Sequence, residues 1–216
     1  MTRSRASLEL ALAEAIHRAR NDIHAISVLL RLQALAADGA ARQALERAAS
    51  RVDAMASLNA RLDEWGEELG QVDFRKFLAG VAADIDDIYM DDRPIGLTVE
   101  ADPGSMPADT ARVLGLIINE LVANALKYAF PGERAGAVTI LYQQQAREWM
   151  LTVRDDGIGF DPNAAPRGSG IGSKVVRALA QQINADFTIA PGQPSGTVCR
   201  ISRANQLGAF STVANR

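Results

Sequence analysis

The sequence holds one cysteine, Cys199, among 216 residues. No disulfide can form within the chain, which suits a reducing compartment. An excess of one charge sign is missing too. The formal net charge is −3, which gives no electrostatic reason to expect a nucleic acid or an anionic membrane as partner. Nor is there a long apolar run at the start. The basic residues 1–5 lead into a stretch interrupted by Glu9, Glu14 and His17, so the segment fits neither a signal peptide nor a membrane span. These absences lead us to expect a soluble, cytoplasmic protein with no nucleic-acid partner and no membrane insertion. No sensory module is recognisable, so an input signal is expected from a separate sensor protein or another domain.

Proline is absent from residues 7–66, which are rich in Ala, Leu, Arg and Glu. Leu8, Leu12, Ile16, Ile23, Ile26, Leu30 and Gln33 recur at three- and four-residue steps, the pattern of an amphipathic helix. Asp38-Gly39 is a break. Beyond it, Leu45, Val52, Met55, Leu58 and Leu62 form one stripe of a second helix. An antiparallel helical hairpin is expected. Two helices alone bury little, so pairing with a second copy into a four-helix bundle is expected, with docking onto the rest of the same chain as the alternative.

From about Val72 the pattern changes. Residues 74–89 read as a helix and 95–101 as a strand. Residues 107–129 read as a long helix with Pro107 near its first turn. Strands are expected at 138–143 and 149–154, a helix at 171–183, and closing strands at 187–189 and 197–201. This order fits an α+β fold, with helices layered on one face of a mixed sheet. The expected division is a hairpin domain over 1–68, an α/β domain over 69–204, and a tail over 205–216.

Three segments carry chemistry. The first is Asn119-Glu120-Leu121-Val122-Ala123-Asn124-Ala125-Leu126-Lys127-Tyr128. On a helix, Glu120 and Asn124 lie one turn apart on one face, and Lys127 falls near it. The rest of the helix is apolar (Val113, Leu116, Ile117, Leu121, Val122). An Asn carbonyl suits Mg²⁺ shared with triphosphate oxygens, a carboxylate can accept a proton, and Lys offsets phosphate charge. Alone, such a row is more often a solvated face. The second is Asp155-Asp156-Gly157-Ile158-Gly159-Phe160 after a strand. Its glycines permit close approach to a ligand, and its carboxylate can accept from an exocyclic amine, although Asp-Gly turns are common. The third is Gly168-Ser169-Gly170-Ile171-Gly172-Ser173-Lys174 opening a helix, where free N–H groups favour anions. Its spacing is neither that of a P-loop nor that of a dinucleotide fingerprint, and a plain flexible loop would look similar.

In this order and spacing the three segments resemble the N, G1 and G2 boxes of the GHKL ATPase superfamily, over about residues 72–203. The resemblance includes Gly196-Thr197 at the start of the last strand. It implies a GHKL-type α/β sandwich binding ATP and Mg²⁺. Asn124 would hold the metal, Asp155 would read adenine, and Lys127 and Tyr128 would contact phosphate and the base region. Asn119, Gly157, Gly159, Gly168, Gly170, Gly172 and Thr197 would complete the nucleotide site. The lid between the glycine boxes, about residues 161–167, is short. Ser173 stands where a leucine is usual.

The hairpin carries His17-Arg18-Ala19-Arg20-Asn21 and then Ile26-Ser27-Val28-Leu29-Leu30-Arg31-Leu32-Gln33. With Arg51-Val52, Met55, Leu58 and Leu62, these runs resemble the phosphoacceptor hairpin of HWE-related histidine kinases. The Asn-Glu form of the N box is typical of the same group. The resemblance implies a dimeric two-component histidine kinase core. His17 would be phosphorylated from ATP and would pass the phosphate to an aspartate of a response-regulator receiver domain. Neutral imidazole is a competent nucleophile near neutral pH. His17 is expected on the exposed side of the stripe. Asn21, one turn on, would position water for phosphatase action on the regulator. Glu120 would help activate His17 or order the metal's water. His24, two turns from His17, is a competing acceptor that the motif disfavours.

Two other readings fit parts of the chain. One is a phosphotransfer or phosphatase protein that keeps the fold without using ATP. The other is a non-enzymatic ATP-binding switch module, which would not need the histidine-bearing hairpin. Trp65, Trp149 and Cys199 read as packing residues. The acidic run Asp84, Asp86, Asp87, Asp91 and Asp92 reads as a solvated helix end.

Overall fold

The computed structural model describes residues 2–64, 70–89, 94–132, 134–146, 148–160 and 171–203. The chain separates into two compact units, Met1–Ala60 and Arg61–Arg216.

The first unit is a helical hairpin of α1 (Thr2–Leu35) and most of α2 (Gly39–Glu64). Proline-free sequence lets α1 run 34 residues. The turn closes through the N–H of Ala36 to Gln33 O and of Ala37 to Ala34 O, with Gly39 in the left-handed region at φ 54°. The covered face keeps part of the expected stripes: Leu58 and Leu62 are buried and Ile23, Leu30, Leu45 and Val52 half-buried, whereas Ile26 is 49% exposed and Met55 42%, and Ser27, Ala34 and Ala49 are buried as well. Arg31 Nη2 to Asp53 Oδ2, at 2.6 Å, ties the two helices at their surface.

The second unit contains β1 (Gln71–Asp73), α3 (Phe74–Tyr89), β2 (Ile95–Ala101), β3 (Ser105–Pro107), α4 (Ala108–Tyr128), β4 (Gly136–Gln145), β5 (Glu148–Asp155), α5 (Ile171–Gln182), β6 (Asp186–Pro191) and β7 (Thr197–Arg203). The five-stranded sheet runs β2-β4-β5-β7-β6. Among the described strands of this sheet only the β2–β4 pair is parallel, so the sheet is mixed as expected. The short antiparallel pair β1–β3 was not foreseen, because three residues carry no readable period.

Alternation along the strands builds the core. Val138, Ile140 and Tyr142 of β4, Trp149, Leu151 and Val153 of β5, and Cys199 and Ile201 of β7 are buried. They meet Phe74, Phe77 and Leu78 of α3 and Leu114, Ile117 and Ile118 of α4, all fully or nearly fully covered. The Phe74 and Tyr142 rings lie 4.4 Å apart, centroid to centroid. Each such side chain contributes roughly 1.5–3 kcal/mol on burial. The β5 row continues in steps of two from Val153 to Asp155, which carries a carboxylate onto the helix-covered face at 6% exposure.

The last turn of α2 belongs to this unit. Arg61 Nε donates to Asp84 Oδ2 at 2.7 Å, and Nη2 donates to Oδ1, a two-pronged pair with α3. Asp84 of the acidic run is thus engaged rather than merely solvated. Asp91 and Asp92 lie outside the described residues.

Candidate functional site

Where α4 ends, β5 ends and β7 begins, the backbone is drawn together. Asp155 Oδ1 accepts the N–H of Gly157 at 3.1 Å and of Thr197 at 3.2 Å. The Thr197 hydroxyl adds a third hydrogen bond to the carboxyl. Burial pushes the Asp155 pKa above its usual 3.8, the hydrogen bonds from Gly157 and Thr197 pull it down, and nearby Asp156 adds a smaller upward push. Asp156 is exposed, and its Oδ1 accepts the Ala137 N–H at 2.8 Å. Its backbone carbonyl accepts from Ser195 Oγ and Arg134 Nη2, both at 3.2 Å.

The glycines permit these approaches. Gly157 packs on the end of α4, where a Cβ would come within 2.4 Å of Ala129 O, and the next N–H, of Ile158, donates to that carbonyl at 2.9 Å. Gly196 sits at φ 93°, and a Cβ there would stand 1.9 Å from Asp155 O. Gly159 is also left-handed, at φ 67°. Gly157 and Gly159 are expected site residues, whereas Asp156 and Gly196 join the site only in the folded structure. The signal for Gly196 was its place before Thr197.

On α4, Asn119, Glu120, Asn124 and Tyr128 are half-buried and Lys127 is exposed. Lys127 Nζ lies 5.4 Å from the Tyr128 ring centroid. Asn124 faces the first turn of α5: a Cβ on Gly172 would stand 2.9 Å from Asn124 Nδ2 and 3.2 Å from Oδ1. The structure therefore brings together Asn124 and Gly172, and separately Asp155, Gly157 and Thr197. Gly168, Gly170 and the lid at 161–167 lie outside the described residues. His17 falls within α1, but its side chain, and hence its expected exposure, lies outside them too. Asn21 and His24 are exposed.

Among the described residues no cluster of three or more His, Cys, Asp or Glu could hold a metal unaided. The half-buried Asn124 amide, with Glu120 a turn away, offers hard oxygen donors of the type Mg²⁺ accepts when phosphate oxygens complete its shell.

Residues 109–205 match the family described as histidine kinase-, DNA gyrase B-, and HSP90-like ATPase, and residues 14–89 match a family described as histidine kinase. The chain belongs to the histidine kinase family. This histidine kinase is 32% identical over 176 residues to the sensor histidine kinase PdtaS of Mycobacterium tuberculosis, covering 80% of this chain and 35% of that protein. It is 30% identical over 200 residues to blue-light-activated histidine kinase 2 of Erythrobacter litoralis, covering 90% of this chain and 57% of that one. The chain thus spans between about a third and somewhat over half of these relatives. The solved histidine kinase domain of an Erythrobacter litoralis blue-light-activated kinase shares its fold at TM-score 0.63, with 23% identity, over 84% of this chain and 94% of that domain. No described helix of this histidine kinase is long and apolar enough to cross a membrane.

Proposed function

We propose that this chain is the catalytic core of a two-component system: it autophosphorylates on His17 from ATP·Mg²⁺ and hands the phosphate to an aspartate of a response-regulator receiver domain. The observation that carries the nucleotide half of this reading is the buried Asp155 carboxyl, held by Gly157 and Thr197 at the end of β5. A carboxylate so fixed accepts a hydrogen bond from the adenine amino group. Thr197, Gly157 and Gly159 line that corner. Asn119, Lys127 and Tyr128 lie along α4 toward the phosphates, and Gly168, Gly170 and Gly172 supply backbone N–H groups to them.

Asn124 is the protein ligand we assign to Mg²⁺, which supplies charge neutralisation on the phosphates when bound. His17 attacks the γ-phosphorus through an imidazole nitrogen. The N–P bond forms through the ring nitrogen that carries no proton, the bond from phosphorus to the β–γ bridging oxygen breaks, ADP leaves, and the proton on the other ring nitrogen passes to solvent or to Glu120. The receiver aspartate then takes the phosphoryl group, and Asn21 orders water for its later hydrolysis. A second copy of the chain covers the outward apolar residues of the hairpin, Leu29 (58% exposed), Leu32 (56%) and Leu35 (71%) among them. A cytoplasmic location and a separate sensor belong to the same reading.

The test is incubation of the purified chain with γ-labelled ATP and Mg²⁺, beside His17→Ala. Acid-labile label that disappears in the variant supports the proposal. A folded chain that binds ATP without label points to a switch module. One that neither binds nor labels points to phosphotransfer without ATP.

A further inference from the structure

We propose that Gly172 is a positioning residue for Asn124: the bare Cα at the start of α5 leaves room for the Asn124 amide to keep the orientation in which its oxygen meets the cation. The inference rests on the Mg²⁺ role assigned to Asn124 above.

Backbone conformation does not explain a glycine at this position. Gly172 lies outside the left-handed region that Gly159 and Gly196 occupy. It lies in the first turn of α5. What Gly172 does have is a neighbour. The space a methyl would fill is bounded by Asn124, with Nδ2 at 2.9 Å, Oδ1 at 3.2 Å and Cγ at 3.5 Å. Real Cβ atoms essentially never come within 3.0 Å of another heavy atom, so the amide would have to move.

The kind of neighbour decides the consequence. At Gly157 and Gly196 an added methyl would meet backbone atoms, Ala129 O at 2.4 Å and Asp155 O at 1.9 Å, and the fold itself would be strained. At Gly172 it meets the end of a rotatable side chain. Turning that amide costs the fold little but redirects the one protein oxygen assigned to the metal. A misdirected ligand weakens metal binding by roughly ten- to hundredfold. At the boundary between α4 and α5 the Asn124 side chain therefore lies against the bare Cα of Gly172.

The test measures ATP affinity of the full chain by isothermal titration calorimetry, with Mg²⁺ and with EDTA, in wild type, Gly172→Ala, Asn124→Ala and the double variant. Thermal unfolding is recorded for each. We expect Gly172→Ala to lose about tenfold of the Mg²⁺-dependent gain in affinity. The unfolding temperature should hold, and the double variant should lose no more of the Mg²⁺-dependent gain than Asn124→Ala does. Equal losses with and without Mg²⁺, or additive losses in the double variant, would overturn the inference. So would a full Mg²⁺ gain in Gly172→Ala when Asn124→Ala has lost it. If Asn124→Ala itself keeps the gain, the metal role of Asn124 falls first and this inference with it.

Discussion

Asp155 Oδ1 and the Thr197 N–H are joined at 3.2 Å across 42 positions of sequence. The bond spans two neighbouring strands, β5 and β7, in which these residues are paired in register. It converts the end of a sheet into a corner with a fixed carboxyl.

Asp155→Asn should lower ATP affinity roughly ten- to hundredfold, the cost of losing a hydrogen bond to a charged acceptor. Stability should move the other way. Burial holds the folded-state pKa above its usual 3.8, so the Asp155 contribution is fully present below that value and is lost as pH rises through the raised one. Asparagine does not titrate. The stability of Asp155→Asn relative to wild type should therefore grow between about pH 4 and neutrality, read by urea unfolding across that range. A difference that shrinks with pH would refute the sign.

Gly196→Ala should cost roughly 2 kcal/mol or more and weaken ATP binding together, because its methyl would strike the Asp155 carbonyl. Gly132→Ala is the control. Its φ of 64° is also left-handed, but nothing lies within 4 Å of its added Cβ, so about 1 kcal/mol is expected. Denaturant midpoints of the two variants decide whether the clash or the dihedral dominates.

Arg61→Ala should destabilise the 61–216 unit by about 1–2 kcal/mol. The side chains of the pair are 22% and 28% exposed, and both guanidinium prongs are engaged, which lifts the pair above an ordinary surface ion pair. Adding salt should narrow the difference between wild type and variant in a urea titration. A salt-independent difference would mean that packing of the Arg61 stem, rather than charge, is responsible.

Leu29→Glu with Leu32→Glu should shift the chain to monomer in sedimentation velocity while leaving its helical circular dichroism intact. Both side chains are more than half exposed on the hairpin, so charge there penalises association and not folding. A wild-type chain that sediments as monomer at micromolar concentration would remove the basis for the dimer.

Local periodicity made much of the fold legible. The steps of three and four in α3, α4 and α5 and the alternation in β4 and β5 are properties of a residue and its near neighbours, and those elements were anticipated within a few residues. The hairpin's inner face was only partly so: Leu58 and Leu62 of the expected stripe are buried, but Ile26 and Met55 are not. Helix α1 carries Ile26, Val28, Leu29 and Leu32 on more than one side, so composition could not say that Ser27 and Ala34 would turn inward.

The sequence by itself determined which groups are available to the site: the Asn124 amide, the Asp155 carboxyl, and glycines spaced so that backbone can come close. It did so because residue type and short-range spacing are written in the chain. Only the tertiary structure decided which of them meet. Strand order brings Thr197 to Asp155, and the packing of α5 beside α4 sets Gly172 against Asn124. Those contacts depend on how distant segments bury their apolar faces together, and no local pattern encodes that choice.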